Sequence, residues 1–163
     1  MKPSFSLLLC GLMLSSYQAQ ATTHDNMNAT LWYQTSAEFK ASAIQTYQTA
    51  ALQLPHAIAD KNWTALPQQS SAYQQLPMAI IVDIDETILD NSPAAAQDVL
   101  TNAAFSDASW DRWVSLAKAD AVPGAVAFVN AAEAMGIKVL YISNRACSKR
   151  ANTPSACPQK DDT

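Results

Sequence analysis

The sequence predicts an α/β fold with parallel strands, on three observations. An apolar run, Ala79 to Val82, turns abruptly acidic at Asp83. A second apolar run, Ile137 to Ile142, gives way at once to Ser143-Asn144-Arg145. Between them lies a stretch of helical periodicity, opened by Pro123-Gly124 and closed by Gly136. Strand, helix and strand in that order imply a right-handed parallel crossover. Sheets of this kind bind ligands in the crevice beyond the carboxyl ends of their strands, which is where Asp83 and Ser143 fall.

The chain has 163 residues, which suits one domain. Hydrophobic residues make up 49%, enough for a globular core. Ten basic residues stand against fourteen acidic ones, and no Lys/Arg cluster offers a footprint for a nucleic-acid polymer. His24 and His56 are the two histidines, and neither lies near a motif. This argues against a histidine-based triad or a histidine-rich zinc site.

The N-terminus reads as a targeting segment. Met1-Lys2 supplies a positive start, and the apolar stretch Phe5 to Leu14 is too short to span a membrane as a mature helix. Ala19-Gln20-Ala21 is a small-x-small cleavage site, so residues 1–21 are expected to be a secretory signal. The product would be periplasmic or secreted, with no transmembrane helix in the mature chain. The competing reading is a lipoprotein anchored to the outer membrane through Cys10. Against it, Leu9 stands where such signals need a small residue.

Thr22 to Thr30 is polar and reads as a flexible start. From Leu31 to Leu54, Trp32, Phe39, Ala43, Ile44, Tyr47 and Ala51 recur at helical steps, with Ser36 placed to cap the main part. This face is expected to pack on the sheet. Pro55, Pro67 and Pro77 punctuate the next segment. Lys61 to Thr64 reads as a short helix or loop, and Pro77 marks the start of the first strand.

An alanine-rich helix is expected from Pro93 to Ala104. Ser109 is the expected N-cap of a further helix carrying Trp110 and Trp113 one turn apart on one face. Aromatics so placed suit either a packed core or a surface for stacking. In the next helix Pro123 sits near the first turn, Ala125, Phe128, Val129 and Ala132 form the apolar side, and Gly136 ends it.

The chemistry concentrates in Asp83-Ile-Asp85-Glu-Thr-Ile-Leu-Asp-Asn-Ser92. A strand sends residues i and i+2 to one side, so Asp83 and Asp85 can share a crevice at its end. Two carboxylates there would repel each other, and a cation between them relieves that. Hard oxygen ligands favour Mg²⁺. An EF-hand loop counted from Asp83 fails, because Ile88 stands where glycine belongs and Ala94 where the bidentate Glu belongs.

This string resembles motif I of the haloacid-dehalogenase-like phosphatases, in the form found in bacterial class C acid phosphatases and periplasmic 5′-nucleotidases. Val139-Leu-Tyr-Ile-Ser-Asn-Arg145 resembles their motif II. The resemblance implies a Rossmann-like parallel sheet of the haloacid-dehalogenase type with a small helical cap. It implies Mg²⁺-dependent hydrolysis of a small-molecule phosphomonoester, with nucleoside 5′-monophosphates as candidates. Asp83 would be the nucleophile and Asp85 the general acid and base. Both would be metal ligands, Asp85 through its backbone carbonyl. Ser143 and Asn144 would bind phosphate, and Trp110 would stack on a base. A homo-oligomer is compatible with all of this.

Cys147 and Cys157 bracket the loop after motif II. Two cysteines in an exported chain are expected to form a disulfide, two free thiols being the alternative. Some members of the resembled family carry such a pair here.

The family's later motifs, a lysine and further acidic metal ligands, are not recognisable. Lys160 lies too close to motif II, and Asp161 and Asp162 follow no apolar strand. Ala79 to Val82, apolar on both faces, reads as a central strand needing neighbours on both sides. Residues 22–163 are thus expected to be the N-terminal portion of an acid phosphatase domain, incomplete at the C-terminus. The alternatives are an inactive truncated remnant or a non-catalytic binding or storage protein on the same fold. The intact Asp83 favours an enzyme lineage.

Overall fold

The computed structural model describes residues 24–69 and 72–145. The expected signal over residues 1–21, with Cys10, and the expected Cys147–Cys157 pair lie outside the described residues. Two helices come first, α1 (Met27–Thr35) and α2 (Ala37–Ala59). Strand β1 (Ala79–Asp83) leads into a tight loop, the short strand β2 (Leu89–Asp90), and helices α3 (Ser92–Thr101) and α4 (Asp107–Leu116). The described residues continue with β3 (Asp120–Ala121), α5 (Ala125–Ala134) and β4 (Lys138–Ile142). Among the described residues no helix is long and apolar enough to cross a membrane.

β1 and β4 pair in parallel, Ala79 against Lys138 through Asp83 against Ile142. β2 and β3 form a separate antiparallel pair. The parallel register sets both carboxyl ends level, so the loops after Asp83 and Ile142 emerge side by side. Helices α2 and α5 cover one face of this pair. The core there is Leu54, Phe128, Val129, Ala132 and Ile137, with Tyr47, Ile80 and Val139 packed against it. The buried side of α5 is the one its periodicity predicts, Ala125, Phe128, Val129 and Ala132. The opposite sheet face exposes Ile81, Leu140 and Ile142. The described helices therefore bury the strand on one face, where its apolar composition predicts burial on both.

Ser36 caps α2 as expected, its Oγ accepting from the Phe39 N–H at 3.0 Å. α2 then runs through Pro55 to Ala59, past the expected end at Leu54. Leu54 lies in the core and Ile58, in the last turn, packs against it, and that contact offsets the hydrogen bond proline removes. The predicted face is only partly inward, because Trp32 and Ile44 are exposed. Lys61 to Thr64 is a turn and loop.

α3 stops at Thr101, because Asn102 takes a left-handed conformation (φ 49°). The N-cap of α4 is Ser106, three residues before the expected Ser109. Ser106 Oγ accepts from the Ser109 N–H at 3.1 Å, while the Ser106 N–H donates to Ser109 Oγ at 3.3 Å. Ser109 thus completes a capping box from inside the first turn. Gly136 follows α5 with φ 76°. Its N–H reaches the Glu133 carbonyl at 2.9 Å and that of Ile137 reaches Ala132 at 3.0 Å, the Schellman closure that turns the chain into β4.

Candidate active site

The β1 strand ends at Asp83, and residues 84–88 fold into a turn. The Ile84 carbonyl accepts from the N–H groups of Ile88 and Leu89, and the Glu86 N–H donates to the Leu89 carbonyl, each at 2.9 Å. Glu86 takes a left-handed φ of 56°, the kink that lets the loop close. Tyr47 of α2 pins the turn from below, its hydroxyl donating to the Thr87 carbonyl.

Asp85 is the centre of a polar cluster. Arg145, from the loop after β4, donates to Asp85 Oδ1 from Nη2 at 2.5 Å and from Nε at 2.9 Å. Asn91 Nδ2 donates to the same oxygen at 2.8 Å. Asp85 Oδ2 receives longer contacts, from Ser143 Oγ and Arg145 Nε, both at 3.3 Å. Partial burial pushes the Asp85 carboxyl up, but the hydrogen bonds and charge of Arg145, with Asn91 and Ser143, outweigh this and hold it below its ordinary value. Glu86 next door goes the other way. Desolvation leads, the charges of Asp85 and Asp90 add to it, and hydrogen bonding from Asn91 only partly opposes them.

The cluster extends into α4. Trp113 Nε1 donates to Asn91 Oδ1 at 2.8 Å. The Arg145 guanidinium lies over the Trp110 ring, 5.5 Å from its centroid. Beyond Asn91 opens a cavity of about 480 Å³, walled by Phe105, Trp110, Trp113 and Leu116 with Glu86 at its polar edge. Such a shape, apolar walls beside convergent polar groups, suits a small organic molecule with a charged end.

Of the residues singled out from sequence, Asp85 and Ser143 meet across 3.3 Å, and Trp110 reaches the cluster through Arg145. Asp83 ends β1 as an exposed side chain, and Asn144 is exposed beside the cluster rather than in it. Asn91 and Arg145 were given no role from sequence, and Trp113 and Tyr47 were placed only on aromatic or apolar helix faces. Arg145 carries the clearest overlooked signal, a cation directly after the second strand. Asn91 sits in the quoted string, where no role was given to it.

Among the described residues no three or more His, Cys, Asp or Glu side chains gather as a metal site. Two oxygens are nevertheless open to a hard cation. The Asp83 carboxylate is exposed at the strand end, and the Asp85 carbonyl takes no hydrogen bond among the described residues. The Asp85 carboxylate is committed to Arg145 and Asn91, so Asp85 would serve a cation through its backbone. That donor set fits a partly hydrated divalent ion.

Comparison with known proteins gives a consistent result. Residues 7–159 match the family model described as HAD superfamily, subfamily IIIB (acid phosphatase). Two solved structures of the class C acid phosphatase from Bacillus anthracis are similar to this chain at 38% identity. One, with tungstate bound, has a TM-score of 0.67. The other has a TM-score of 0.66. Each comparison covers 78% of this chain and 48% of the other, so the chain spans about half the length of the protein it matches.

Proposed function

The chain belongs to the HAD superfamily, subfamily IIIB, the acid phosphatases, and from that premise we propose that it hydrolyses phosphate monoesters at the carboxyl ends of β1 and β4. The observation that carries this reading is the Asp85–Ser143–Arg145 cluster. It sets a carboxylate, a hydroxyl and a guanidinium together at the level where exposed Asp83 ends its strand.

In this reading Asp83 attacks phosphorus and displaces the ester oxygen, forming an aspartyl-phosphate. Asp85 gives a proton to the departing oxygen. It then takes one from the water that hydrolyses the intermediate. Ser143, with Asn144 beside it, donates to phosphoryl oxygens, and Arg145 supplies positive charge where negative charge builds. A divalent cation, Mg²⁺ in this proposal, would be held by the Asp83 carboxylate and the Asp85 carbonyl, and when bound it supplies further positive charge there. The cavity beside Trp110 takes the organic part of the ester. Its aromatic walls favour a planar group, so a nucleoside 5′-monophosphate is the substrate proposed.

The test is phosphate release from a nucleoside 5′-monophosphate by the purified chain, with Mg²⁺ and with a chelator, beside Asp83→Asn. Metal-dependent release that disappears in the variant is expected. Full activity in Asp83→Asn would sink the assignment of the nucleophile.

A further inference from the structure

Asn91 is in an unusual position for a helix N-cap. It is 4% exposed, yet its side chain makes no capping bond to α3. Asp90 takes over that task, its Oδ1 accepting from the Ser92 N–H at 2.8 Å. Pro93, next in line, has no N–H to cap. The Asn91 amide is thereby released to face the active site.

Its orientation is then fixed by chemistry. The Trp113 indole N–H can only donate, so the atom facing it must be the Asn91 carbonyl oxygen. Arg145 Nη2, also only a donor, reaches the same oxygen at 3.2 Å. With Oδ1 so held, Asn91 must present its NH₂ to Asp85. Three short hydrogen bonds consequently converge on Asp85 Oδ1, while among the described residues Oδ2 has two contacts, both at 3.3 Å.

We propose that Trp113 is a positioning residue for Asp85, acting through Asn91, and that the asymmetry it maintains makes Oδ2 the oxygen that exchanges the proton in turnover. This rests on the phosphatase reading above. As the ester O–P bond breaks, its electron pair goes to the departing oxygen, which takes the proton from Oδ2. In the second step Oδ2 takes a proton from water as the water oxygen bonds to phosphorus and the Asp83–phosphorus bond breaks. Oδ1 stays anchored throughout. The arrangement links α4, a wall of the cavity, to the group that performs proton transfer.

The test compares Trp113→Phe, which keeps an aromatic ring but removes the donor, with the parent chain on two esters. A simple alkyl phosphate has a poor leaving group and depends on the acid. 4-Nitrophenyl phosphate has a good one and depends on it little. Misplacing the acid should cost the alkyl ester on the order of a hundredfold in kcat/KM, which reports the first step, in which the leaving group departs, and not the hydrolysis common to both esters, at least tenfold more than it costs the nitrophenyl ester. An equal loss on both esters would mean a merely structural role and would overturn the proposal.

A second arm needs no turnover. In ¹H–¹⁵N NMR spectra the Asn91 side-chain NH₂ signals should shift in Trp113→Phe, because the amide loses the shorter of the two bonds that orient it. Unchanged Asn91 signals would overturn the relay. If the parent chain releases no phosphate from either ester, the proposed function fails, and this arm still decides whether Trp113 orients Asn91.

Discussion

Tyr47 donates a hydrogen bond to the backbone carbonyl of Thr87, tying the middle of α2 to the turn that carries Asp85. The same ring packs against Phe128 of α5, with centroids 5.6 Å apart. One side chain thus links the core to the candidate catalytic loop, and burial pushes its phenol up from the ordinary value. Removing the hydroxyl alone separates the two roles. Tyr47→Phe should lower stability by about 0.5–1.5 kcal/mol, read as a shift in the urea midpoint at constant m. A midpoint equal to that of the parent would show that solvent satisfies the Thr87 carbonyl equally well.

The Asp85–Arg145 pair makes stability depend on pH with a definite sign. The folded carboxyl lies below its ordinary value of 3.8. Its contribution is therefore fully present above that value and is lost as pH falls through the lower folded value. Arg145→Met should cost about 1.5–3 kcal/mol at neutral pH, toward the lower figure because Asp85 is 22% exposed. The deficit should shrink as the pH is taken below 3.8. Urea titrations across that window decide the matter, and a deficit independent of pH would count against the ion pair as its source.

Gly124 is held to glycine by both its backbone and its neighbours. Its φ is 92°, and an added Cβ would lie 3.1 Å from Tyr47 Cβ and Cδ2 and 3.2 Å from Ile44 Cα. Gly136 shares the left-handed backbone, with φ 76°, but a Cβ there would meet nothing within 4 Å. Gly124→Ala is expected to cost roughly 2–4 kcal/mol, strain plus overpacking. Gly136→Ala should cost about 1–2 kcal/mol, strain alone. Thermal denaturation of the two variants side by side measures the difference, and equal losses would refute the close approach of α2 to the start of α5.

Local pattern and tertiary contact divide cleanly in this chain. The sequence by itself determined the two parallel strands, because short apolar runs bounded by turn residues have few other solutions. It determined the buried side of α5, because Ala125, Phe128, Val129 and Ala132 recur at the helical step. It also marked Asp83, Asp85 and Ser143 as the polar residues at and just beyond the ends of those strands. Where local pattern misleads, a competing local choice has won. Ser106 rather than Ser109 starts α4, because the two serines cap each other and both patterns satisfy the same rule.

The partners of Asp85 were decided only by the tertiary structure. Arg145 lies sixty residues away in sequence and Trp113 reaches Asn91 across twenty-two, separations on which no periodicity bears. Nor does local sequence show that Asp90 takes the capping task and frees Asn91. Hydrogen bonds between side chains depend on which loops the parallel register sets side by side. That register is a property of β1 and β4 together, and neither strand encodes it alone.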